Sequence, residues 1–323
     1  MCESPVDAWL DTSTVNPTTG KPLLVFKPFD AWQATYIVTG RWPDHVKHFF
    51  VPCGKCFGCQ KDRAWSITVR ASFEARLYEH NSFITLTCAD KFLDEIFPYG
   101  VHHRPWQLFA KKLRKKIGPF RFLMCAEYGS KTARPHYHAI IFGHSFTDVI
   151  MFPDGTFCSS KTIAECWPYG HIQVDPINDA RVAYVAGYTL KDYQCGRDKD
   201  WYLDRYLNPP YIKWSRRPGL GYDYFARWYP SLIKRKDRWL NGEHYDQFLT
   251  TAIFGRSPRN CANRYFFDKL QLLSPELYAK IQASKENRPR DLLLEVSKLH
   301  DNVRKLMCQK YAVQSKTRDI SIP

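Results

Sequence analysis

The stretch Arg134-Pro-His-Tyr-His-Ala-Ile-Ile-Phe142 sets two imidazoles two residues apart. In a β-strand residues i and i+2 face the same way. His136 and His138 therefore stand side by side, with Tyr137 turned to the opposite layer. Two imidazoles fixed by a sheet chelate a divalent cation with little reorganisation. A third ligand has to come from the neighbouring strand, and Glu127 stands at the right end of it. A carboxylate beside two imidazoles suits Mg²⁺ or Mn²⁺ as well as softer metals. Taken alone, the pair also fits a half-buried strand whose histidines only make hydrogen bonds.

A second constellation is Tyr184-Val-Ala-Gly-Tyr188-Thr-Leu-Lys191. On an α-helix positions i, i+4 and i+7 share a face, so Tyr184, Tyr188 and Lys191 form a stripe of two phenols and an ammonium. Val182, Val185 and Ala186 are left for other surfaces. A phenol, with a pKa of about 10, is a weak nucleophile at neutral pH. A cation that neutralises a phosphate compensates for this, and Lys191 is placed to stabilise the charge that develops. Attack on phosphorus gives a phosphotyrosine that conserves the bond energy for rejoining. Two tyrosines one turn apart suit alternating use. A helix that merely packs two aromatics into a core has the same pattern.

The third cluster is Cys53-x-x-Cys56-x-x-Cys59, three thiols at metal-ligand spacing. It predicts a structural zinc site whose fourth ligand the sequence does not identify, with plain reduced thiols as the alternative.

The elements that must position these groups follow from periodicity. Trp65, Val69, Phe73 and Leu77 recur every four residues and predict a helix over 61–79. Phe83–Cys88 reads as a strand. A helix over Pro105–Ile117 has proline in its first turn and is stopped by Gly118-Pro119. Arg121–Glu127 and His136–Phe142 form a hairpin, Gly170–Asp175 a further strand, and Asn178 caps a helix over 179–193. This order predicts an α+β fold with an antiparallel sheet flanked by helices. Residues 1–52 read as an irregular segment with one strand at Ala34–Thr39. Beyond 228 the pattern is mostly helical, notably over Pro275–Ala283 and Asp291–Met307.

The 323 residues hold 47 Lys and Arg against 32 Asp and Glu, a net charge of +15 that favours a polyanionic partner. The aromatic fraction of 15% excludes a disordered chain. Lys111, Lys112, Arg114, Lys115 and Lys116 give the helix over Pro105–Ile117 a basic face able to follow a phosphate backbone. Arg216-Arg217 is placed to clamp a phosphate on a loop. No apolar run is long enough to span a bilayer, the start lacks the features of a signal peptide, and 11 cysteines fit a reducing cytoplasm.

Together, Thr85-Leu-Thr87, Arg134-Pro-His-Tyr-His138 and Tyr184-x-x-x-Tyr188-x-x-Lys191 resemble the HUH endonuclease superfamily in its two-tyrosine form. With Pro52-Cys-Gly-Lys-Cys-Phe-Gly-Cys59, Glu127-Tyr-Gly129 and Ser215-Arg-Arg-Pro-Gly-Leu-Gly221, the set is similar to the rolling-circle initiators of gokushovirus-type microviruses. Cys88 departs from the pattern, since an aromatic commonly follows the Thr-Leu-Thr strand. The resemblance covers about residues 50–225. It implies an enzyme that nicks single-stranded or supercoiled origin DNA in the cytoplasm of a bacterial host. Such an enzyme stays on the 5′ phosphate, leaves a 3′ hydroxyl as primer and later circularises the displaced strand. It further implies His136, His138 and, less directly, Glu127 as ligands of Mg²⁺ or Mn²⁺, and Tyr184 and Tyr188 as nucleophiles beside Lys191. The expected division is then an N-terminal segment 1–52, a nickase domain 53–227 and a helical region 228–323 of unassigned role, for which a host helicase or other replication machinery is a candidate partner. Competing readings are a relaxase or transposase with the same chemistry, and a non-catalytic zinc-containing DNA-binding protein.

Overall fold

The computed structural model describes residues 2, 4–18, 20, 22–129, 132–151, 158–194, 199–234 and 264–279. They fall into two compact units, 1–62 and 63–323.

In the first unit β1 (Val6–Val15) pairs antiparallel with β2 (Pro22–Val25) on one side and β3 (Val46–Val51) on the other. Helix α1 (Asp30–Thr39) contributes Trp32 to a small core with Trp9 and Val46. This corrects the expectation of irregular chain with a strand at Ala34–Thr39. The β-branched run there reads as a strand. Yet Gly40, at φ 69°, closes the last helical turn by donating its N–H to the Tyr36 carbonyl, and Asp30 suits the positive end. The branched residues decorate the outer side, with Ile37 75% and Val38 83% exposed. β1 was hidden because Asp7 and Asp11 interrupt its apolar residues.

The second unit follows the predicted order, with ends shifted by a few residues. Its first part runs through α2 (Phe57–Ala75), which spans the division between units, β4 (Asn81–Thr87), α3 (Leu93–Ile96), α4 (His103–Ile117), β5 (Arg121–Tyr128) and β6 (Pro135–Phe142). It continues with β7 (Val149–Met151), β8 (Cys158–Ser160), α5 (Lys161–Cys166), β9 (Ile172–Pro176), α6 (Asp179–Gln194), α7 (Lys199–Leu203) and β10 (Tyr211–Trp214). Two further helices are α8 (Tyr222–Lys234) and α9 (Arg264–Leu273). The main sheet is antiparallel with order β10-β5-β6-β4-β9. The fold is α+β. Of the helical C-terminal region, α9 and residues 275–279 are seen as helix; 235–263 and 280–323, including Asp291–Met307, lie outside the described residues.

Strand alternation divides the core into two layers. Tyr137, Ala139 and Ile141 of β6 meet Trp106, Phe109, Ala110 and Leu113 of α4 on one face. Those four α4 positions follow the i, i+3, i+4, i+7 pattern of an amphipathic helix. On the other face Ile140 and Phe142 meet Ile67 and Ala71 of α2 and Val182, Val185 and Ala186 of α6. Each fully buried large side chain contributes about 1.5–3 kcal/mol. A third cluster joins Val69 and Phe73 of α2 to Phe225 of α8 and Phe266 and Leu270 of α9.

The loop entering β9 crosses the end of β4 closely. Thr87 donates its N–H to the His171 carbonyl and Ala89 to that of Tyr169, both at 2.8 Å. Gly170 sits between them at φ 152°, and a Cβ there would lie 2.2 Å from the Thr87 carbonyl oxygen. Gly170→Ala is expected to destabilise by at least about 2 kcal/mol. Urea unfolding should show a lower midpoint at unchanged slope.

Candidate active site

The register of three strands builds the site. β6 pairs with β4 so that His138 opposes Thr85 and His136 opposes Thr87. On its other edge β6 pairs with β5, where Glu127 opposes His136 and Cys125 opposes His138. All these side chains emerge on the face covered by α2 and α6.

Each histidine is held from behind by a threonine. The Thr85 hydroxyl lies 2.9 Å from His138 Nδ1, and the Thr87 hydroxyl 2.9 Å from His136 Nδ1. A hydroxyl serves either tautomer, so each Nδ1 is satisfied and Nε2 becomes the working atom. Phe83 stacks on the His138 ring at 5.9 Å. Glu127 is buried, 4% exposed, and its Oε1 lies 3.0 Å from His138 Nε2. That is the spacing of two adjacent ligands about 2.1 Å from an octahedral ion. The rings of His136 and His138 are 6.1 Å apart and nearly parallel. The hard-to-borderline donor set fits a divalent cation. It is less tightly closed than the cysteine group; among the described residues, that group is the one whose ligand atoms all lie within 4.8 Å of one another.

Tyr184 reaches this site from α6. Its ring meets the His138 ring edge-on at 5.4 Å, and it remains 48% exposed. The helix is oriented by Val182, Val185 and Ala186 on the sheet, and Asn178 caps its start by accepting the Arg181 N–H at 2.8 Å. Tyr188 and Lys191 lie on the same helix, with side chains outside the described residues. Tyr137 serves the opposite layer. It donates its hydroxyl to the His102 carbonyl at 2.6 Å, and burial drives its pKa well above the ordinary tyrosine value.

The basic residues separate into two groups. Lys111, Lys112, Arg114, Lys115 and Lys116 are on α4, beneath the face of the sheet opposite the histidines. Lys116 pairs with Glu165, and the Arg114 guanidinium lies over Phe120 at 4.5 Å. Arg216 and Arg217 instead line a cleft of about 450 Å³ with Arg70, Trp214, Tyr222, Tyr265 and Lys269. Trp214 packs on the cluster under α2 and α6, so this cleft opens on the histidine side of the sheet. Arg70 lies 3.7 Å over the Tyr265 ring. Buried Glu74 ties the loop down, pairing with Arg121 and accepting the Gly221 N–H at 2.7 Å.

Periodicity did not assign roles to Thr85, Thr87, Arg70 or Tyr265. The threonine roles required the β4–β6 register, and Arg70 and Tyr265 come from elements far apart in sequence. Gly129 is a further case. A Cβ there would lie 2.7 Å from His136 Nε2, so glycine leaves that imidazole its room. Gly129→Ala is expected to keep stability within about 1 kcal/mol, because only a side-chain tip must move. It should shift the imidazole NMR resonances of His136 while those of His138 stay in place.

Comparison with known proteins identifies the class to which this arrangement corresponds. Residues 81–193, from β4 into α6, match a family of phage replication proteins described as Replication-associated protein ORF2. The chain is 32% identical over 211 residues to Replication-associated protein ORF4 of Chlamydia phage 1, covering 61% of this chain and 51% of that protein. To Replication-associated protein VP4 of Bdellovibrio phage phiMH2K it is 30% identical over 166 residues, 47% of this chain and 51% of the relative. To Replication-associated protein ORF2 of Spiroplasma virus 4 it is 34% identical over 199 residues, 56% and 59% respectively. The chain thus spans just over half the length of these relatives. No solved structure matches it. The resemblance to replication-associated proteins of microvirus-type phages is borne out.

Proposed function

We propose that the protein is a rolling-circle replication initiator of the HUH type, a nickase and strand-rejoining enzyme that uses a tyrosine nucleophile. The observation that carries this reading is the approach of Tyr184 to His138 at 5.4 Å, with Glu127 3.0 Å from the same imidazole. A phenol, two imidazoles and a carboxylate on one sheet face form the set needed to open a phosphodiester and keep one end attached.

In this reading His136, His138 and Glu127 hold a divalent cation, Mg²⁺ or Mn²⁺. That ion supplies charge neutralisation of the scissile phosphate. Thr85 and Thr87 keep both imidazoles aimed through Nε2. Tyr184 Oη forms a bond to phosphorus as its proton passes to solvent. The bond from phosphorus to the 3′ oxygen breaks, and that oxygen leaves as a protonated 3′ hydroxyl. The 5′ phosphate remains on the phenol. In rejoining, a 3′ hydroxyl attacks the phosphotyrosine, releasing the phenol and restoring the strand. Tyr188, one helical turn on, is the second phenol, and Lys191 the neighbouring charge. The Arg216–Arg217 cleft offers guanidiniums for phosphates and Trp214 and Tyr222 for bases, the composition of a single-strand groove. A host helicase is the candidate partner of the C-terminal region. Among the described residues no helix is long and apolar enough to cross a membrane.

Purified protein incubated with Mn²⁺ and labelled single-stranded oligonucleotides tiling the cognate circular genome should yield a cut strand with protein on its 5′ phosphate. Tyr184→Phe with Tyr188→Phe should abolish that adduct while DNA retention persists. An adduct that survives the double change would rule out these nucleophiles. His138→Ala should slow adduct formation by on the order of 100-fold or more. Arg216→Ala with Arg217→Ala should weaken binding across sequences and reduce the log–log salt slope by about 1.4, the loss of two single-strand phosphate contacts.

A further inference from the structure

The cysteine cluster stands apart from this chemistry, wholly within the first unit. We propose that Cys2, Cys53, Cys56 and Cys59 form a tetrathiolate site for one zinc ion that staples the N-terminal unit together. This assignment is independent of the nickase reading.

Sheet pairing supplies the fourth ligand. Val6 opens β1 and pairs with Val51, the last residue of β3. The residues just before β1 and just after β3 must therefore meet, and they are Cys2 and Cys53. No spacing rule links the two, which is why the sequence pattern showed only three thiols. The first turn of α2 adds Cys59, and Cys56 lies in the turn between.

The sulfur geometry is that of an ion cage. The Sγ atoms of Cys53 and Cys59 are 4.0 Å apart, those of Cys56 and Cys2 3.8 Å, and all four lie within 4.8 Å of one another. Four sulfurs about 2.3 Å from a tetrahedral zinc have edges of about 3.8 Å. A disulfide would need sulfurs at about 2.0 Å. All four cysteines are thiols.

The backbone is arranged for thiolates. Gly54 at φ 73° turns the chain so that the Cys56 N–H donates to Cys53 Sγ at 3.3 Å and the Lys55 N–H at 3.4 Å. The Cys53 N–H donates to Cys2 Sγ at 3.2 Å. Such donors support and orient ligand sulfurs. Four thiolates so close repel one another unless a cation lies among them, and coordination releases the thiol protons to solvent.

The unit needs a staple. Its hydrophobic cluster is Trp9, Trp32 and Val46, with Val25 and Trp42 packed against it. A core this small leaves a unit of about 60 residues marginal. Zinc joining the chain before β1, the turn after β3 and the start of α2 would fix three segments at once. Tetrahedral sulfur coordination selects zinc over Mg²⁺ or Mn²⁺, so the two candidate metal sites differ in preference.

The test uses the full chain carrying His136→Ala and His138→Ala, which removes the other candidate site. Elemental analysis after purification under reducing conditions should find one zinc per chain. Replacement by Co²⁺ should give intense tetrahedral visible bands with a sulfur-to-cobalt charge-transfer band. Cys2→Ala should lower metal affinity by about tenfold or more and weaken that band. Cys2→His, which keeps a ligand, should retain metal with a shifted spectrum and preserves a readout if Cys2→Ala does not fold. Zinc well below one per chain, iron in its place, or an unchanged cobalt spectrum in either Cys2 variant would overturn the assignment.

Discussion

Antiparallel pairing of β6 with β4 on one edge and β5 on the other is the constraint on which the site depends. One register sets Thr85 and Thr87 behind the two histidines and Glu127 in front of His138. A slip of one residue would turn every one of these side chains into the α4 layer. The register is locked by burial on both faces, with Tyr137, Ala139 and Ile141 against α4 and Ile140 and Phe142 against α2 and α6. Apolar packing thus positions polar groups that have little packing energy of their own.

The same alternation assigns different work to neighbouring residues. Tyr137 lies between the histidines in sequence, but its hydroxyl is bonded to the His102 carbonyl in the opposite layer. Tyr184 is distant in sequence and half exposed at the histidine face. Accessibility and direction, rather than residue type, separate the structural phenol from the candidate nucleophile. Charge divides likewise. The basic helix α4 lies behind the sheet, while Arg216 and Arg217 open on the histidine side.

Features governed by local period were legible in the sequence. The His136–His138 pair, the α4 stripe, the β5–β6 hairpin and the Asn178 cap all arise from spacing within one or two elements. Features governed by long-range pairing were not. The threonine supports needed the β4–β6 register, and Cys2 needed the β1–β3 pairing that joins residues some fifty positions apart. The run Thr35–Thr39 misled because branched residues favour strands, whereas Gly40 and the buried face of Trp32 settle it as helix. The charges of α4 were visible, but nothing in their number says which side of the sheet they will occupy.

The central claim is that His136, His138 and Glu127 form one metal-binding centre beneath Tyr184. Crystals soaked in Mn²⁺ and measured for anomalous scattering test it most directly. The account predicts one peak about 2.2 Å from Nε2 of both histidines and from the Glu127 carboxylate, on the side facing the Tyr184 phenol. A well-ordered Mn²⁺ bound elsewhere, with both imidazoles left in their threonine contacts and no density between them, would contradict it.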